Sequence, residues 1–108
     1  MTDLDMTKLC AEVMQLTGLQ ELYTAKGETK LGVPSKDYDN YVYDPLHDDA
    51  QAMALVKKFQ LEVRYNNRRT IDPWIASPSY RPEPTAFSSD LNRAIVECVA
   101  KMQAARTK

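Results

Sequence analysis

The chain has 108 residues, enough for one domain with a real core and too few for two independent cores. It is 44% hydrophobic and 27% charged, a balance that belongs to soluble globular proteins and lies far from the regime that keeps chains disordered. Fourteen Lys and Arg against fifteen Asp and Glu give a net charge of -1, so no global field draws the protein to phosphate backbones or to an acidic membrane.

The opening MTDLDMTKLC carries acids where a signal peptide would carry bases, and no apolar run approaches the roughly 20 residues that span a bilayer. The expected location is therefore the cytoplasm, without membrane association. Met6, Leu9, Cys10, Val13 and Leu16 recur at spacings of three and four, which predicts a helix over 4–17 that Gly18 would end. Leu19 to Tyr23 would extend or restart it. Cys10 and Cys98 each fall on the apolar stripe of a predicted helix, where a reducing compartment keeps them as packed thiols.

Residues 24–40 contain Gly27, Gly32 and Pro34 among polar residues and are expected to form an exposed loop. Tyr41, Val42 and Tyr43 then alternate as a strand that Asp44-Pro45 ends, in keeping with a sheet edge. Asp48 and Asp49 precede Ala52, Met53, Leu55, Val56 and Phe59, while Lys57 and Lys58 follow, so a second helix over 48–58 has its charges aligned with the helix dipole.

Leu61, Val63 and Tyr65 alternate with Gln60, Glu62 and Arg64, the period of a strand with one wet face. Asn66-Asn67 suits a left-handed reversal into a second strand centred on Trp74 to Ser77, whose hydrogen bonding Pro73 and Pro78 limit. PSYRPEPTAF reads as an extended connection. Ser88 or Ser89 would cap a last helix with Leu91, Ile95, Cys98, Val99 and Met102 as its buried stripe. The predicted class is α+β: a small antiparallel three-stranded sheet packed with three helices, in the order α-β-α-β-β-α, as one domain over 1–108 with its β-α-β-β-α core at 41–105.

The segments DPLHDDAQAMALVKKFQLEVRY, PWIASPSY and DLNRAIVECVAKMQ together resemble the phage ABA sandwich domain, a family of short phage and prophage proteins of unknown function. The resemblance covers about residues 39–105. It rests on the Asp pair opening the middle helix, Trp74 and Ala76 in a W-x-A strand, and the final helix core AIVECVA. The loop at 24–40 and the proline-rich connection depart from that pattern. The resemblance implies a phage or prophage source and action in the host cytoplasm, and carries over no activity.

Chemical motifs are sparse. His47 is the sole histidine and neighbours Asp48 and Asp49, but a metal or general-base site needs further ligands or a nucleophile, and helix capping accounts for both acids. No G-x-S-x-G element, no phosphate-cradling glycine run and no calcium-loop spacing occurs, so the expectation is no enzyme, no cofactor and no metal site. The expected function is protein interaction with a host or phage partner, including inhibition of a host or anti-phage system. Its surface would combine Tyr38, Tyr41 and Tyr43 with Arg64, Arg68, Arg69 and Trp74, since aromatics and Arg dominate binding hot spots. A homodimer through an edge strand is also open. The alternative is a nucleic-acid binder using the basic run Arg64 to Arg69, with cations for phosphate and Tyr65 for stacking.

Overall fold

A computed structural model describes residues 1–33, 41–79 and 84–106. Three helices and two three-stranded antiparallel sheets confirm the α+β class. The chain order is α1 (Asp3–Val13), β1 (Gln20–Tyr23), β2 (Thr29–Val33), β3 (Tyr41–Tyr43), α2 (Asp49–Phe59), β4 (Leu61–Tyr65), β5 (Trp74–Pro78), β6 (Ala86–Ser88) and α3 (Leu91–Arg106). The expected order is retained, with β1, β2 and β6 added. One sheet runs β1-β2-β3 and the other β4-β5-β6, so β3 joins a sheet of its own instead of pairing with β4 and β5.

Helix α1 begins at a reciprocal capping box: the Asp5 N–H donates to Thr2 Oγ1, and the Thr2 N–H donates to Asp5 Oδ2. It stops earlier than Gly18. Gln15 takes a left-handed conformation (φ 60°), its N–H donates to Glu12 C=O, and Leu16 N–H donates to Ala11 C=O, the bonding of a Schellman close. Freed from the helix, Gln20 to Tyr23 pair with Thr29 to Gly32 as a hairpin. The hairpin turn is held by Thr24 and Glu28, with Gly27 at φ 82° supplying the reversal. Residues 29–33, expected in a loop, are thus a central strand; residues 34–40 lie outside the described residues. Gly32 leaves room for the Leu22 side chain of β1, because a Cβ there would sit 2.7 Å from Leu22 Cδ1.

Helix α2 follows its expected span closely. Asp48 caps it by accepting from the Gln51 N–H, and Gln60 ends it in a left-handed conformation that sends the chain straight into β4. The β4–β5 connection is wider than a two-residue turn: Asn66 N–H donates to Pro73 C=O, Asn66 Oδ1 accepts from Arg68 N–H, and the left-handed residue is Asp72 (φ 50°). β5 is a central strand despite its flanking prolines. Pro73 offers only its carbonyl to Asn66, and Pro78 lies beyond the last residue paired with β6, so neither position is asked for an N–H. The end of the proline-rich connection forms β6, whose Ala86 to Ser88 pair with Ala76 to Trp74.

Asp90, not Ser88 or Ser89, caps α3 by accepting from Asn92 N–H, while Ser88 Oγ accepts from Asp90 N–H. Helix α3 is the centre of the molecule, packed against α1, α2, β5 and β6, while α1 also covers β2. Its middle turns, Ala94, Ile95, Val96, Cys98, Val99 and Ala100, are buried almost all round, wider than the single predicted stripe because neighbours lie on several sides. One buried cluster joins this helix to Met6 and Cys10 of α1, Leu31 of β2, Leu55 of α2 and Ala76 of β5.

Candidate functional site

Strand alternation divides the β4-β5-β6 sheet into two faces. Leu61, Val63, Trp74, Ala76 and Ala86 turn inward toward α3, and Trp74 meets Tyr65 edge-on with ring centroids 4.9 Å apart and planes at 68°. The outward row across the sheet is Arg64, Ile75 and Phe87, in register. Ile75 is buried there, although it lies outside the main core cluster. The Arg69 guanidinium stands 4.5 Å above the Phe87 ring centre, and its Nε donates to the carbonyls of Ile71 and Asp72, which fixes the side chain over the sheet. Phe87 is 42% exposed and Ile71 72% exposed. Among the described residues, no carboxylate lies within ion-pair distance of Arg64, Arg68 or Arg69.

The expected surface residues do not form one patch. Arg64, Arg68 and Arg69 are exposed and share one end of the second sheet, whereas Trp74 is half-buried and turned to the core. Tyr43 is 4% exposed and belongs to the core, a correction to its place in an aromatic edge: the residue faces inward from β3. Tyr41 enters β3 opposite Val33, and Tyr38 lies outside the described residues. Sequence reasoning missed Phe87, Ile71 and Ile75. The alternation Ala86-Phe87-Ser88 was a signal for β6, hidden by the prolines before it.

The outer edges of the two sheets also differ. Antiparallel ladders alternate bonded and non-bonded pairs, and the bond from Thr24 N–H to Glu28 C=O sets the phase that leaves Val42 facing away from β2. There the Gln51 side chain closes the edge: its Nε2 donates 2.9 Å to Val42 C=O and its Oε1 accepts from Asp44 N–H. In the second sheet, bonds from Asn66 N–H to Pro73 C=O and from Ser79 N–H to Gln60 C=O bracket β4–β5. With Glu62 opposite Ser77 and Arg64 opposite Ile75, residues 62 and 64 bond β5, and the peptide groups of Leu61, Val63 and Tyr65 point to the open edge.

His47 finds its carboxylate in Asp44, not in Asp48 or Asp49. Asp44 Oδ2 accepts from His47 Nδ1 at 2.8 Å and from Lys30 Nζ at 2.9 Å, at the rim of an open groove of about 410 Å³ between α1 and β2–β3. Burial pushes the Asp44 carboxyl up, but the hydrogen bonds from Lys30 and His47 outweigh it and hold the group below its ordinary value. Lys30 is raised, chiefly by its hydrogen bond to Asp44. The trio ties β2 to the turn before α2, and the threonines of the groove, Thr7 and Thr29, are not among the hydrogen-bond partners of His47. Asp48 and Asp49 serve α2 itself and Asn92 of α3. Burial lifts the thiols of Cys10 to about 12 and Cys98 to about 11, which keeps both protonated and unreactive. Among the described residues no group of three or more His, Cys, Asp or Glu could hold a metal ion, and no helix is long and apolar enough to cross a membrane.

No protein-family model, curated protein or solved structure matches this chain. Its functional reading therefore rests on the geometry of its own surfaces.

Proposed function

We propose that the chain is a non-enzymatic protein-interaction module whose contact surface is the outer face of β4-β5-β6. The observation that carries this reading is the joint exposure of Phe87 and Ile71 around an Arg69 pinned by cation–π and backbone contacts, with Arg64 and Arg68 beside it in no ion pair among the described residues. Aromatics and Arg of this kind supply binding energy at little ordering cost, because Arg69 is already held in place. The nucleic-acid reading is weaker here, since Tyr65, which would stack a base, meets Trp74 edge-on and lies on the opposite face of the sheet from Arg64, while Arg69 lies over the Phe87 ring. The resemblance of residues 39–105 to the phage ABA sandwich domain extends the proposal to a phage or prophage protein acting on a host or phage partner in the host cytoplasm, including a host or anti-phage system.

The test is capture of partners from host lysate with tagged protein, before and after nuclease, using wild type and an Arg69→Glu/Ile71→Ser variant. The expected result is a stoichiometric protein that survives nuclease and is lost with the variant, while circular dichroism shows the variant folded at the temperature of the capture. Retention that vanishes with nuclease and weakens linearly in log salt would replace this reading with nucleic-acid binding.

A further inference from the structure

We infer that the free edge of β4 is a self-recognition surface, on which a second copy of this chain adds its own β4 antiparallel across a two-fold axis through Val63. Among the described residues four strands lie at sheet edges, and they are not equivalent. β3 is closed by Gln51. β6 offers only a three-residue edge. On β1, Thr24 and Glu28 set the phase so that Glu21 and Tyr23 face outward, and two-fold pairing about Leu22 would set Glu21, already ion-paired with Lys8 at 2.7 Å, against Tyr23, with no charge match across the axis. β4 differs on every count.

Its outward peptide groups are those of Leu61, Val63 and Tyr65, and no other backbone or side chain among the described residues bonds them. A two-fold axis through Val63 places Leu61 opposite Tyr65 of the second copy and Val63 opposite Val63. These are the residues whose N–H and C=O groups are free, so the bonded pairs fall where donors and acceptors are available. The same register places Glu62 opposite Arg64 of the second copy, in the non-bonded pair where side chains approach most closely. Both Glu62 and Arg64 are exposed, and neither has an ion-pair partner among the described residues. The strand is therefore palindromic in charge as well as in bonding phase. On the inner face, Leu61 of one copy would cover Tyr65 of the other, which is 57% exposed in the single chain. Shifting the register by one residue along the edge loses both matches at once. The pairing would join the two sheets into one continuous sheet and leave Arg68, Arg69 and Phe87 on its outer face; it shares Arg64 with the partner reading above, and Glu62→Arg, which touches none of that surface, separates the two.

The test uses the full chain in sedimentation velocity over a concentration series, with amide hydrogen exchange on the same samples. Wild type is expected to dimerise with rising concentration and to protect the amides of Leu61, Val63 and Tyr65. Glu62→Arg alone and Arg64→Glu alone are each expected to weaken association at least about tenfold, because each sets like charges across the axis. An equimolar mixture of those two variants is expected to associate, as is the double swap Glu62→Arg/Arg64→Glu, since both restore opposite charges. These side chains lie on the wet face, so unchanged melting curves verify that each variant folds. A wild type that stays monomeric to about 1 mM would overturn the inference. So would a dimer indifferent to the single reversals, a mixture that stays monomeric, or a dimer whose β4 amides remain unprotected.

Discussion

The sheet β1-β2-β3 ends on a strand whose outward groups are taken by Gln51 from helix α2, whereas β4-β5-β6 ends on one whose outward groups meet nothing among the described residues. The two sheets also bury their faces differently. Leu31 of β2 lies in the common core beneath α1, while Ile75 of β5 is covered on the far side of its sheet, in register with Arg64 and Phe87. The contrast shows how sheets of equal strand number serve unlike ends. Along β3 a side-chain amide takes the place of a neighbouring strand; along β4 the outward groups have no bonding partner among the described residues, and Phe87 stands partly exposed beside a buried Ile75.

The largest effect that would test this contrast comes from the core positions. Leu31→Ala should destabilise the fold by about 4 kcal/mol, since a fully buried leucine leaves a cavity between α1 and β2. Ile75→Ala should cost about 2 kcal/mol, because its surroundings include exposed side chains that can collapse into the space. Urea unfolding of both variants checks the order, and equal losses would mean that the second face is as firmly packed as the first.

Next in size is Gln51→Ala, which strips both bonds from the edge of β3. A loss of about 1–2 kcal/mol in the same measurement is expected, together with faster exchange of the Asp44 amide. The smallest effect belongs to Asp44. Its folded carboxyl titrates below the unfolded value of 3.8, so its contribution is complete above that value and disappears as pH falls through the folded one. Urea midpoints of wild type should therefore fall more steeply than those of Asp44→Asn as pH drops below about 4. Parallel curves would show that the tie from Lys30 and His47 adds no net stability.

Local pattern carried the sequence reading where a segment's own periodicity decides its state. Helices α2 and α3 and strand β4 were legible because their apolar residues repeat at three to four or at two, and Asp48 marks the start of α2. Strands β1 and β2 were not, since Leu19 to Tyr23 read as more of the first helix and Gly27, Gly32 and the polar residues between them read as a loop, and pairing turns such segments into strands. The exposed arginines of the candidate surface were visible as a basic run, but Phe87 was hidden by neighbouring prolines and Tyr43 was misplaced on the surface.

The sequence by itself determined the α+β class, the three helices and the alternation of LEVRY, because each follows from spacing along one segment. Tertiary structure alone decided that β3 joins β1 and β2, that His47 meets Asp44 rather than its acidic neighbours, and that Arg69 covers Phe87. It also decided which edge is closed. Gln51 reaches back across a turn to Val42 and Asp44, and the phase of the β4–β5 ladder aims Leu61, Val63 and Tyr65 outward. Both depend on contacts between separate segments, whose geometry no single-segment periodicity encodes.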